Sequence, residues 1–403
     1  MQTQGKFAKL AVLVIMGSLG LSLSTLAAAE SDAAQAIRAS GANVPTNIPG
    51  VYTYAEPPKE FNPVTAADVE LATYGFPPRP DKQANPDGYA VWERVVKAAK
   101  IHWNGELKPL PTHGRERIPA GSSPMSQAAQ SQASGPLQVA TINTSGVVLT
   151  NKQLKWSDVN SFDAVYATFS VPTPALPYGI TCSPPGSYGV GAEEYSLVGI
   201  DGLFVGDGVE GANPAFEAGL AGGVYELSGC GQGDAAALAV FGYFWPGYSG
   251  QRYAAFNPNI GDVFFADVFA TGPNNAYVYL SDLTTYTAAE YAVSTPGLIG
   301  QNVAWMVSRS CCDNPNLYGT FQLANTASVF FDNGYAGTAN ETAQGKFTHY
   351  PGSQATSTRI LTMTDDKGDQ SIETVTQGSA GNEGLHALSF TTVNCAYSGG
   401  CTP

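Results

Sequence analysis

The groups from which an active site would have to be assembled are few. They are the carboxylates of Glu193, Glu194, Glu210 and Glu217, the imidazoles of His102, His113, His349 and His386, and six cysteine thiols. The sequence contains no GxSxG elbow, no HExxH pair and no GxxxxGK[ST] loop, so the common serine-hydrolase, zincin and nucleotide-phosphate readings lose their entry points. No CxxC pair exists and the histidines lie far from the cysteines in sequence, so no metal centre and no other cofactor is expected. The cluster Thr364-Asp365-Asp366-Lys367-Gly368-Asp369-Gln370 lacks the regular spacing of calcium ligands and reads as a turn. What remains is carboxylate or amide chemistry on a sheet surface. The stretch GQNVAWMVSRS, residues 300–310, bears on this directly, because it alternates as a strand does. One face carries Ala304, Met306 and Ser308, the other Val303, Trp305 and Val307, and the first face holds nothing that titrates.

The elements that would position these groups are mostly strands. Charged residues make up only 13% of the 403-residue chain while Gly, Tyr, Phe and Val are plentiful, which suits short strands joined by glycine-rich turns. From residue 138 onward the hydrophobic period is two, in segments such as FDAVYATFSVP, EYSLVGIDG, ALAVFGYFWP and DVFFADVFATG. Residues 138–403 are therefore expected to form an all-β, two-sheet antiparallel β-sandwich, its central strands apolar on both faces. Residues 119–137 read as a Ser/Ala/Gln-rich linker, and 30–118 as an N-terminal segment with short helices, either a propeptide or a packed extension. Thr65 is expected to cap the first helix, and Pro86-Asp87 to open a second whose buried face is Tyr89, Trp92, Val95, Val96 and Ala99.

Residues 1–29 read as a secretory signal, with Lys6 and Lys9 before an apolar run and Ala27-Ala28-Ala29 as the cleavage site. The expected product is secreted or periplasmic, without a membrane span and monomeric. Without that segment, 17 basic side chains face 33 acidic ones, a formal charge of −16 that argues against nucleic acid as a partner. Six cysteines suit an oxidising compartment. Cys395 and Cys401, separated by a Ser398-Gly399-Gly400 turn, are the expected local bridge, and Cys182 with Cys230 a second; the pairing of Cys311 and Cys312 stays open.

The ordered set LKWSDVNSFDAVYATFSVP, YSLVGIDG, AFEAG, FGYFWP, NIGDVFFADVFA, AYVYLSDLTT and NVAWMVSRS resembles the glutamic peptidases, or eqolisins. The likeness spans roughly residues 55–340. It implies a concanavalin-like jelly roll and acid endopeptidase chemistry, in which a glutamate acts as general acid/base on water and a glutamine amide orients that water and stabilises the oxyanion. Set on this sequence, the glutamine position falls on Glu217, or on Gly211 if no insertion is allowed. The catalytic glutamate falls on Ser308, the acid four residues before it on Ala304, and a further cleft acid on Tyr243. Trp156 marks the start of the motif set and is expected at the groove with Tyr243 and Ala304.

The expected function is accordingly a catalytically degenerate relative whose groove binds peptide or glycan, with Tyr243 as its leading contact. The alternative is an acid endopeptidase working through a rearranged site in which Glu217, neutral through burial, donates a hydrogen bond. Ser308 has no helper, since neither His349 nor His386 stands at a spacing that favours pairing. Phe241 and Trp245 are expected as core filler, Glu193, Glu194 and Glu210 as solvated carboxylates, and Asp201 as the residue that closes its own Gly-Ile-Asp-Gly turn.

Overall fold

The computed structural model of the chain describes residues 37–110, 136–141, 144–151, 153–174, 192–202, 204–205, 208–209, 214–224, 235–244, 250–295, 297–308, 322–323, 326, 328–353, 357–364, 371–377, 386–392, 395–396 and 400–401. The strands that build the body are β1 (Thr144–Thr150), β2 (Phe162–Ser170), β3 (Ala192–Asp201), β4 (Ala215–Val224), β5 (Ala235–Phe244), β6 (Gly250–Ala254) and β7 (Val263–Gly272). They continue with β8 (Asn275–Asp282), β9 (Thr287–Ser294), β10 (Asn302–Ser308), β11 (Ser328–Thr338), β12 (Thr358–Thr364), β13 (Ser371–Gln377) and β14 (Leu388–Thr392).

Antiparallel pairing sets them in two layers. One sheet runs β6-β5-β4-β3-β10-β1-β12. The other runs β14-β11-β2-β7-β8-β9, and β13 pairs with both β12 and β14 to join the layers at one margin. The expected two-sheet sandwich is the observed fold. Its core lies between the layers, where Val198, Phe216, Phe241, Val303, Trp305 and Val307 of the first sheet meet Val165, Phe169, Phe264 and Leu280 of the second. β2 shows why central strands read as apolar on both faces. Val165, Ala167 and Phe169 enter this core, while Ala164 and Tyr166 enter a second cluster on the other side of their sheet.

That second cluster explains the N-terminal segment. Helices α1 (Asp68–Thr73) and α2 (Pro86–Ala98) cover the outer face of the second sheet, placing Leu71, Trp92, Val95 and Val96 against Phe265, Tyr277, Tyr279 and Tyr335. Each such side chain contributes about 1.5–3 kcal/mol through burial, so the segment is held as part of the body. Pro86 opens α2 as expected, with Asn85 Oδ1 accepting from Gly88 N at 2.9 Å. Thr65 does not cap α1; the N-cap is Ala67, whose N–H donates to Glu70 Oε2 at 2.8 Å, so an acid in the first turn takes over the capping. The segment also adds strands to both sheets. Val51–Thr53 and Ile101–His102 pair with β9, and Lys108–Leu110 pairs with β6 at the edge of the first sheet.

Candidate functional site

The face of the first sheet turned away from the sandwich core is where the resemblance places the chemistry. Register fixes what stands there. One row across the strands reads Arg252, Gly242, Glu217, Gly199, Ala304, Val148. A row farther along reads Ala221, Tyr195, Ser308, Thr144. Glu217 and Ala304 thus share a row with only Gly199 between them, whereas Ser308 lies four residues beyond Ala304, about 13 Å along the strand. The two positions expected to be catalytic, Glu217 and Ser308, are not brought together.

Each already has other partners. Arg252 Nη2 donates to Glu217 Oε1, and the Arg252 guanidinium lies 4.0 Å from the Tyr195 ring centroid and 5.5 Å from that of Phe244. Gly242 makes this reach possible, since its missing side chain leaves the row open between Arg252 and Glu217. Burial lowers the Arg252 pKa, but the Glu217 carboxylate and the Tyr195 phenol more than offset it and hold the guanidinium above its ordinary value. The expected neutral, donating Glu217 is therefore replaced by a carboxylate that accepts from a cation. Ser308 Oγ sits 3.2 Å from Thr144 Oγ1, in a hydroxyl–hydroxyl contact. His349 pairs instead with Glu341 at 3.1 Å, and His386 stacks on Tyr335 at 4.2 Å between centroids.

Much of the rest of the face is apolar, with Arg359 opposite Val148 donating to Thr150 Oγ1 at 2.6 Å. Val148, Tyr195, Leu197, Ala221, Val240, Ala254, Ala304, Met306 and Leu361 form one cluster, with Leu110 of the N-terminal segment packed against it. Glu217, Ala304 and Met306 are each 1% exposed, so this floor is closed to bulk water. The alternation holds over the described residues 303–307, with Val303, Trp305 and Val307 in the inter-sheet core and Ala304 and Met306 on the cleft face.

Two expected groove contacts are corrected. Tyr243 points to the inter-sheet side with Phe241, packs against the main core and lies beside Tyr253 at 6.3 Å between centroids. The cleft side of β5 is supplied by Val240, Gly242 and Phe244 instead. Trp156 also packs against the main core, its indole N–H donating to Asp158 Oδ1 at 3.0 Å.

Two acids are corrected as well. Glu194 is not a solvated carboxylate. It lies on the core side of β3, 1% exposed, accepting from Thr326 Oγ1 at 2.7 Å and Ser196 Oγ at 3.3 Å. Burial outweighs these hydrogen bonds and raises its pKa to about 7. Asp201 (φ 61°) does not close its own turn; it receives the N–H groups of Ile299 (2.6 Å), Gly300 (2.8 Å), Gln301 (2.7 Å) and Asn302 (3.4 Å), clamping the loop that leads into β10. Phe241 is core as expected. Cys395 and Cys401 face each other as backbone partners in a two-stranded ladder. Cys182, Cys230, Cys311, Cys312, Gly211, Glu210, Trp245 and the 119–135 stretch lie outside the described residues. Among the described residues no cluster of three or more His, Cys, Asp or Glu could hold a metal ion.

Sequence reasoning missed Arg252. Its signal was a lone arginine beside Tyr253 and Ala254 in a strand with little other charge, a setting in which a buried cation requires a partner.

Comparison with known proteins follows the same lines. The solved structures that the chain is similar to include scytalido-glutamic peptidase with a transition state analog inhibitor, at 18% identity and TM-score 0.43, covering 62% of this chain and 98% of that one. SCP-B, a member of the eqolisin family of peptidases in a complex with the tripeptide Ala-Ile-His, matches at 18% identity and TM-score 0.41, covering 62% and 98%. Aspergilloglutamic peptidase from Aspergillus niger matches at 18% identity and TM-score 0.36, covering 50% and 99%. No curated protein matches. The sequence model described as the Peptidase A4 family matches residues 142–380, more than half of the chain, including β1, β3 to β6, β10 and β12 of the first sheet. The chain belongs to the Peptidase A4 family.

Proposed function

We propose that this chain is a non-proteolytic member of its family, exported from the cytoplasm, whose cleft face holds an extended peptide rather than cutting one. One observation carries the reading: the position of the amide holds Glu217 in an ion pair with Arg252, across Gly199 from Ala304 on a floor closed to water, and the position of the general base, Ser308, lies four residues beyond Ala304. Hydrolysis needs a base positioned on a water molecule. Glu217 is engaged by a guanidinium, and at the position of the general base Ser308 offers only a hydroxyl hydrogen-bonded to Thr144. Membership of a peptidase family favours a peptide over a glycan; Leu197, Met306, Val148 and Leu361, each at most 1% exposed, support the face from beneath rather than contact a ligand.

The test is to incubate the full protein with a denatured protein substrate from about pH 2 to pH 7 and look for fragments by mass spectrometry. No fragments are expected at any pH. Peptide and glycan arrays probed with the same protein should show retention on peptides; retention on glycans alone would overturn the choice of ligand.

A further inference from the structure

The N-terminal segment encloses a cavity on the opposite side of the molecule from the cleft face. It is about 510 Å³, within the range of small-molecule sites, and lies between the Glu56–Pro63 stretch, the end of α2 and the outer face of β8 and β9. Its walls include Phe61, Phe76 and Val96. Its polar lining is a buried triad of neighbours. His102 Nδ1 lies 2.8 Å from Glu290 Oε1, with the two side chains 10% and 5% exposed, and Glu290 stands directly across the β8–β9 ladder from Tyr279. Tyr279 is 3% exposed, and its hydroxyl has no hydrogen-bond partner among the described residues.

A buried hydroxyl without a partner is costly; that of Tyr279 is closed to water from the cavity, so a ligand reaches it by displacing the wall that covers it. The charges beside it favour an anion. Glu290 is already matched by His102, whose pKa the hydrogen bond to Glu290 raises, and the lining adds Lys59, Lys97 and Lys100 against Glu56. Lys97 also pairs with Glu93 at 3.1 Å, and Lys100 lies 4.9 Å from the Tyr286 ring centroid, which leaves Lys59 nearest to a free cation. This is a basic lining on a chain of net charge −14.

We propose that this cavity is a second ligand site, separate from the cleft face, for a small organic carboxylate with an aromatic or branched apolar body. The carboxylate takes the Tyr279 hydroxyl and the His102 ring, and the body packs on Phe61, Phe76 and Val96. Nothing in the proposal depends on whether the cleft face binds peptide.

The test is calorimetric titration of the full protein with phenylacetate, with phenylacetamide as the uncharged comparison. Saturable one-site binding of phenylacetate is expected, weaker by at least about tenfold for phenylacetamide and for Tyr279→Phe. Because Tyr279→Phe removes only an unpartnered hydroxyl, the thermal midpoint of the ligand-free variant should equal or exceed that of the wild type, which separates lost binding from lost folding. His102→Gln should weaken binding in the same way. Absence of saturable binding would overturn the proposal. So would unchanged affinity in Tyr279→Phe, or a loss seen in Ser308→Ala instead.

Discussion

Replacing Glu194 with glutamine should change how the protein responds to pH more than how it folds. The side chain is fully enclosed, and burial raises its pKa from 4.5 to about 7 despite the Thr326 and Ser196 hydrogen bonds. A carboxyl whose folded value is raised contributes stability that is complete below the unfolded value and is lost as pH rises through the folded one. For Glu194 that window runs from 4.5 to about 7, and a shift of this size corresponds to about 3 kcal/mol. Glutamine's amide oxygen can accept from one hydroxyl while its NH2 donates to the oxygen of the other, and it has no proton to lose. Asp267, also raised to about 7 by burial, is common to both proteins and cancels in the comparison. Thermal unfolding followed by circular dichroism between about pH 4 and pH 8 should therefore show the wild-type midpoint falling about 6 °C further than the Glu194→Gln midpoint, at roughly 2 °C per kcal/mol for a chain of this size. Midpoints that run parallel across the range would refute the reasoning, because they would mean that Glu194 is charged in the folded state throughout.

Other consequences concern the cleft face and its support. Glu217→Ala should cost about 3–5 kcal/mol in urea unfolding, because it leaves the Arg252 guanidinium, 11% exposed, without its carboxylate. The double variant Glu217→Leu, Arg252→Met should recover at least half of that loss, and a loss under about 0.5 kcal/mol in the single variant would show that the pair is not buried as described. Asp201→Ala strands four N–H groups at residues 299–302 and should cost about 3 kcal/mol or more. Hydrogen exchange at those amides should accelerate first, and unchanged protection would remove Asp201 from its clamping role.

The fold was legible because strand parity and turn chemistry are local properties. Residues 303–307 alternate as written, and the doubly apolar FDAVYATFS segment is a strand between two packed faces. The site was legible only where that parity was respected. Placing Phe241 in the core and Tyr243 in the groove is inconsistent, since residues two apart on a strand share a face, and the structure sends both to the core. The same rule groups Glu194 with Ser196 and Val198 on the core side. What local pattern could not supply is pairing across distance. Arg252 meets Glu217 35 residues away only because β4, β5 and β6 stack in register, and Asp201 reaches amides 98 and more residues along the chain.

The central claim is that the cleft face of this Peptidase A4 member no longer hydrolyses peptide bonds. Its most direct test is the mass-spectrometric search for fragments of a denatured protein incubated with wild type and Glu217→Gln across the acid range. The structure leads us to expect no fragments from either protein. Fragments produced by the wild type and absent with Glu217→Gln would contradict the account, and would make Glu217 a catalytic residue despite Arg252.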